Sequence, residues 1–175
     1  MKIAKLKIEN SIVTLLIIVL IIAIGIYAYS RLSTENNSPT ISTENTRQYK
    51  NIERGFSIDY PESLLVKDFD EGETTHTIVF SEEVDGKNFQ IFFTPYLGNQ
   101  VTQERINMDI PDGKIIEPVD IVIGEGITAL AFFSNSKLGE LREVWFIHDG
   151  YLYQLTTYKE WDEWLANIMK SWKFI

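Results

Sequence analysis

The sequence offers few side chains that could carry out chemistry. It has no cysteine, which excludes disulfides, thiol nucleophiles and thiolate metal ligands. Its two histidines, His76 and His148, are isolated from each other, and isolated histidines are more often structural than catalytic. No Gly-x-Ser-x-Gly elbow supplies an activated serine. We therefore assign no catalytic residue, no metal ligand and no cofactor-binding residue from the sequence.

One acidic stretch, Asp68–Glu73, has the composition of a calcium-binding loop. It does not fit the EF-hand pattern, because Gly72 falls at the fifth position instead of the sixth and Val79 stands at the twelfth, where a glutamate belongs. We interpret the stretch as a solvated turn, with a weak external cation site as the alternative.

Three tryptophans late in the chain could form a platform for a sugar or a peptide: Trp161, Trp164 and Trp172. The first two share a helical spacing with Leu165 and Ile168, which predicts an amphipathic helix over Glu160–Lys170. The tryptophans are therefore expected to belong to the core.

Apolar residues that alternate with polar ones between turn signals predict a β-rich domain. The predicted strands are Gly55–Pro61, Leu64–Phe69, Thr74–Ser81, Phe89–Thr94, Ile115–Ile123, Ile127–Ser134 and a short closing strand at Trp172–Ile175. A short helix is predicted over Thr102–Met108, where a threonine is available as the N-cap.

The clearest local signal is a β-hairpin. Leu141–His148 and Tyr151–Tyr158 flank Asp149-Gly150, a pair that suits the positive φ angles of a type I′ turn. In this register both faces of the hairpin are largely apolar, so both should be covered. The expected fold class is α+β: an antiparallel β-sheet with helices on both faces, an αβα sandwich, with the helix at 160–170 forming one layer.

The order of these elements resembles the PsbP-like (Mog1/PsbP) fold. The pieces that carry the resemblance are the Gly-Phe-Ser-Ile-x-Tyr-Pro opening at Gly55–Pro61, the Phe-x-x-Asp-Gly-x-x-Tyr hairpin at Phe146–Tyr153, and the end of the closing helix at Ile168–Phe174. The resemblance covers residues 49–175. It implies an antiparallel sheet sandwiched by helices, in extrinsic subunits, assembly factors or envelope domains, and it supplies no site residue.

Residues 12–29 form an apolar run without a charged residue. Eighteen helical residues rise about 27 Å, close to the thickness of the hydrocarbon core of a bilayer, so we expect a transmembrane signal-anchor helix. Lys2, Lys5 and Lys7 precede the run, which places residues 1–11 in the cytoplasm by the positive-inside rule. A signal peptide cleaved near Ala28-Tyr29-Ser30 is the alternative.

The remaining chain divides into a tether and a domain. Residues 30–48 are rich in Ser, Thr and Asn and predict a flexible linker, and residues 49–175 are numerous enough for one external globular domain. The first 31 residues hold four basic groups and one acidic group, so the rest holds 12 basic against 24 acidic. This acidic balance argues against nucleic acid as a partner.

The sequence thus predicts a single-pass membrane protein that contacts the lipid bilayer through residues 12–29. Its external domain is expected to act as a non-catalytic binding or assembly module for a neighbouring envelope protein. Two alternatives stay open: a pilin-like surface subunit, and an envelope hydrolase whose site lacks a recognisable motif.

Overall fold

A computed structural model describes residues 45–70, 74–83, 86–111, 114–136 and 139–175. The predicted span at 12–29 and most of the predicted linker, residues 30–44, lie outside these ranges. Within them, none of the helices has the length and apolar character needed to cross a bilayer.

The described chain is mostly β-structure with few helices. Its strands are β1 (Thr46–Asn51), β2 (Phe56–Pro61), β3 (Leu65–Asp70), β4 (His76–Ser81), β5 (Asn88–Pro95), β6 (Ile116–Ile123), β7 (Ile127–Ser136), β8 (Gly139–His148), β9 (Tyr151–Tyr158) and β10 (Lys173–Phe174). Its helices are α1 (Gln103–Asp109), a 3-10 turn (Lys159–Trp161) and α2 (Asp162–Met169).

The strands form two antiparallel sheets. The larger has seven strands in the order β3-β4-β5-β9-β8-β7-β6, and the smaller has three in the order β1-β2-β10. The β8–β9 hairpin has the predicted register, with Phe146 opposite Tyr153. Asp149 and Gly150 both have positive φ angles, 46° and 75°, as a type I′ turn requires.

The main core lies on one face of the seven-stranded sheet, which we call the inner face. Here the three-stranded sheet and α2 pack against aromatic and branched side chains of β4, β5, β8 and β9. Trp172, which is fully buried, stacks on Phe56 with 4.5 Å between ring centroids and contacts Phe146 edge-on at 5.2 Å. Strand β10 is therefore held to β2 by this aromatic packing as well as by backbone pairing.

The opposite, outer face carries a smaller buried cluster of four residues: Ile106, Phe132, Trp145 and Leu152. Ile106 comes from α1, whose predicted N-cap is confirmed because the Thr102 side chain accepts a hydrogen bond from the Arg105 backbone N–H.

Two expectations need correction. The αβα sandwich gave the sheet a helical layer on each face, whereas the inner face is covered largely by the unforeseen three-stranded sheet, and the two described α-helices are only seven and eight residues long. The predicted linker at 30–48 overlaps β1, which begins at Thr46. The polar residues at its end suggested a flexible tether, but Gln48 bonds to Asp59 on β2 and Arg47 bonds to Glu62 just after β2.

Candidate functional site

A polar cavity of about 250 Å³ opens at one end of the inner core. The turn between β1 and β2 forms one wall, β3 forms the opposite wall, and β4 and β5 form the floor. We call it the Arg54 pocket; its lining residues are Asn51, Glu53, Arg54, Asp68, Asp70, His76 and Phe93.

The turn that carries Arg54 is fixed at several points. The Asn51 side-chain oxygen accepts a hydrogen bond of 2.9 Å from the Arg54 backbone N–H. Gly55 follows with a φ of 64°, a conformation that glycine adopts without strain. The Gly55 carbonyl then accepts a hydrogen bond of 2.7 Å from the Ile175 N–H, which ties the turn to the end of β10. The Arg54 side chain therefore leaves a constrained backbone.

The Arg54 guanidinium lies mostly out of water, with 13% of the side chain exposed. It sits 4.4 Å from the centre of the Tyr151 ring and 5.6 Å from that of Phe93, a cation–π arrangement. Its Nη1 donates a hydrogen bond of 2.7 Å to the Tyr151 hydroxyl. Its Nη2 meets Glu53 only at 3.5 Å, and that carboxylate is largely exposed.

The guanidinium thus has more donors than strong acceptors around it. In the part of the chain that the structure describes, nothing accepts a hydrogen bond from its buried Nε. A guanidinium has five N–H donors in a rigid fork that matches a carboxylate or phosphate. The site can therefore bind an anionic oxygen without first breaking a strong internal ion pair.

The opposite wall is acidic. Asp68 and Asp70 stand on β3, and Asp70 is the cross-strand partner of His76 on β4. Asp68 accepts a hydrogen bond of 3.2 Å from the Tyr49 hydroxyl. Burial, together with the nearby Asp68 carboxylate, raises the pKa of Tyr49 to about 12, so this hydroxyl stays protonated as a donor.

The structure separates the two histidines by role. His76 forms part of the pocket floor and stacks on Phe93 with 5.3 Å between ring centroids. His148 lies outside this pocket, exposed beside the β8–β9 turn, where it stacks on Phe174. Only His76 therefore belongs to the candidate site.

The acidic stretch 68–73 is described only in part. Asp68 and Asp70 line the pocket, and residues 71–73 lie outside the described ranges. Within those ranges, no group of three or more histidine, aspartate or glutamate side chains is placed to hold a metal ion.

The late tryptophans do not form a surface platform. Trp172 is fully buried in the inner core, and Trp164 packs against that core as a partly buried residue. Trp161 contacts Tyr158 edge-on at 5.3 Å and is partly exposed. The expectation of a core role is confirmed for Trp172 and Trp164.

Two spacings in the sequence also occur in catalytic or metal-binding sites: Ser134-x-x-Lys137 and Glu73-x-x-His76. Ser134 is buried near the end of a strand, where its hydroxyl donates to Glu143. Lys137 and Glu73 lie outside the described residues.

Sequence reasoning also missed Arg54. A single arginine in a Glu-Arg-Gly turn has no distinctive spacing, and its partners Phe93 and Tyr151 are remote in the chain. The start of the predicted strand at Gly55 indicated where the turn lies, but it did not indicate that the Arg54 side chain lines a pocket.

Comparison with known proteins gives a likeness of fold. No protein-family model matches the chain, and no curated protein matches it. Among solved structures, it is similar to the solution structure of cyanobacterial PsbP (CyanoP) from Synechocystis sp. PCC 6803, with a TM-score of 0.54 and 12% sequence identity. The match covers 80% of this chain and 98% of that one. At this identity the likeness speaks for architecture alone, and the described part of the chain has a PsbP-like fold.

Proposed function

We propose that this protein is a non-catalytic binding module held at the outer face of a membrane, and that the Arg54 pocket is its binding site. The observation that carries the proposal is the pocket itself. A constrained guanidinium, an imidazole and three carboxylates line one open cavity at the end of the core. Such groups recognise charged and polar ligand groups through charge-assisted hydrogen bonds.

Membrane attachment is supported by the sequence. The apolar run at 12–29 is long enough to span a bilayer, and the lysines before it favour a cytoplasmic N-terminus. Since β1 begins at Thr46, residues 30–45 are available as the tether. A flexible chain of this length has its ends about 20 Å apart on average, which is enough to hold a small domain beside the headgroups.

Attachment would confine the domain near other envelope proteins and raise its effective concentration for one of them. The edge strand β6 is a candidate contact, because Val119 and Val122 are exposed there, 48% and 71% respectively. A photocrosslinker at Val122, compared in native membranes with one at Leu65 on the opposite edge strand, tests this contact.

The function is tested on the full-length protein in two steps. Alkaline carbonate washing should leave the protein in the membrane pellet, because the span at 12–29 holds it there; release into the supernatant contradicts the anchor. The detergent-purified protein is then screened by thermal shift against a panel of small anions, cations, sugars and zwitterions. We expect at least one compound to raise Tm in the wild type and in Arg47→Gln, but not in Arg54→Gln.

Arg47 is a matched control because it is an arginine of the same hairpin that pairs with Glu62 on the surface, with 60% of its side chain exposed. A panel in which no compound gives an Arg54-dependent shift would contradict a binding role for the pocket.

A further inference from the structure

The arrangement of charges in the Arg54 pocket narrows the class of ligand, an inference that rests on the binding function proposed above. Strand register places Asp70, His76 and Phe93 in one cross-strand row on β3, β4 and β5. The Arg54 guanidinium lies over the Phe93 end of this row. Positive charge therefore stands at one end of the floor and negative charge at the other.

The length of this row can be compared with the size of a ligand. Adjacent strands are about 4.8 Å apart, so the backbones of β3 and β5 are about 10 Å apart, which gives the scale of the cavity and not the distance between the charged atoms. An α-amino acid has its ammonium and carboxylate about 3 Å apart, given the N–Cα and Cα–C bond lengths. With a charge-assisted hydrogen bond of about 2.8 Å at each end, it would span about 9 Å.

The charges disfavour simpler ligands. A ligand with only a carboxylate would bond to Arg54 but would lie close to Asp68, Asp70 and Glu53, in a strongly acidic domain. A ligand with only an ammonium group would bond to the aspartates but would be repelled by the guanidinium. Only 13% of the Arg54 side chain is exposed, so a charge placed beside its guanidinium interacts with it more strongly than in water.

We propose that the Arg54 pocket binds a zwitterion of amino-acid size, with its carboxylate on Arg54 and its ammonium on Asp70 and Asp68. The cavity of about 250 Å³ has room for one such molecule. His76 lies between the two charged ends on the floor, where its ring nitrogens can bond to either group of the ligand.

The experiment uses three probes that differ by one charged group. L-Leucine has both groups, 4-methylpentanoate lacks the ammonium, and 3-methylbutylamine lacks the carboxylate. Titration calorimetry with the full-length protein in detergent should show that leucine binds at least about tenfold more tightly than either analogue, since one charge-assisted bond contributes about 1.4 kcal/mol or more.

Variants should reverse these preferences. Asp70→Asn should weaken leucine binding by about tenfold while leaving 4-methylpentanoate binding unchanged or tighter, because a repulsive charge is removed. Arg54→Gln should abolish binding of leucine and of 4-methylpentanoate. Arg47→Gln should bind all three probes as the wild type does. Circular dichroism spectra should show that each variant is folded.

Two results would overturn the zwitterion assignment and leave the binding function standing. One is binding of 4-methylpentanoate as tight as that of leucine, with no change in preference in Asp70→Asn. The other is no binding of any probe alongside an Arg54-dependent ligand of another class in the thermal-shift panel. Failure of both the probes and the panel would overturn the binding function as well.

Discussion

Arg54 and Glu143 are ionisable side chains that the fold places largely out of water on opposite faces of the seven-stranded sheet. Arg54 lies at the mouth of the inner core, with one strong hydrogen bond, to Tyr151, and two aromatic rings beside it. Glu143 is 4% exposed on the outer face. Its carboxyl group accepts three hydrogen bonds: from Ser134 on β7, from Thr156 on β9 and from Trp145 on its own strand, β8.

The difference lies in how completely each group is satisfied. The Glu143 oxygens already accept hydrogen bonds from three side chains, and the residue is buried. Glu143 is therefore not accessible to a ligand. Arg54 keeps donors toward an open cavity. A buried ionisable group with a full set of partners indicates a structural role, and one with a partial set beside a cavity indicates a binding role.

The largest effect should come from the charge of Glu143. Burial raises the pKa of Glu143 to about 7, although the bonds from Trp145, Thr156 and Ser134 lower it. The folded state therefore holds this proton more tightly than the unfolded chain does. The contribution of this proton to the free energy of unfolding is fully present below about pH 4.5 and is lost as pH rises through about 7. The decline is on the order of 3 kcal/mol.

Urea unfolding of the wild type and of Glu143→Gln between pH 4 and 8 measures this contribution. The variant cannot ionise here, so its free energy of unfolding should gain on that of the wild type as pH rises. Glu140→Gln, an exposed change on the same strand, should follow the wild type. A constant difference between wild type and Glu143→Gln across this range would show that Glu143 is not held as a neutral acid.

A smaller effect should follow from removing one donor of the cluster. Trp145→Phe deletes the indole N–H that bonds to Glu143 at 3.1 Å and leaves a small cavity beside Phe132. We expect a loss of about 2 kcal/mol in unfolding free energy at pH 7. Trp161→Phe, at the partly exposed edge, should cost less than about 0.5 kcal/mol. Equal losses in the two variants would mean that the hydrogen bond from Trp145 to Glu143 does not stabilise the fold.

The smallest effect on stability should come from Arg54. Arg54→Gln removes one hydrogen bond and two ring contacts but also relieves a guanidinium with few acceptors, so unfolding free energy should change by about 1 kcal/mol or less. The same variant should abolish ligand binding. A loss as large as that of Trp145→Phe would make Arg54 a structural residue and remove the contrast with Glu143.

Local signals predicted much of the fold. Asp149-Gly150 indicated the β8–β9 hairpin because the two positive φ angles are a property of the turn itself. Thr102 indicated the start of α1 for a similar local reason. The three-stranded sheet could not be predicted in this way, because Lys173 pairs with Ser57, which is far from it in the sequence. Such long-range pairing has no signature within a short window of sequence.

The pocket was harder still to predict. Asp68 and His76 were noticed separately, as part of an acidic turn and as a lone histidine, and only the β3–β4 register brings them into one pocket. Arg54 was not noticed, since its importance comes from the rings of Phe93 and Tyr151 that lie under it. A binding site assembled from four remote segments is a property of topology and not of any motif.

The pairing of β1 has a mechanical consequence. Strand β1 is antiparallel to β2, with Thr46 opposite Pro61 at the end nearest residue 45 and Asn51 opposite Phe56 at the far end. A pulling force on residue 45 would break the backbone hydrogen bonds between β1 and β2 one pair at a time, so β1 would separate from β2 at low force. The peeling front would arrive at Asn51, where the turn bearing Arg54 begins. A ligand in the Arg54 pocket would connect that turn to β3. The force needed to unfold the domain from this end would therefore be higher when the pocket is occupied.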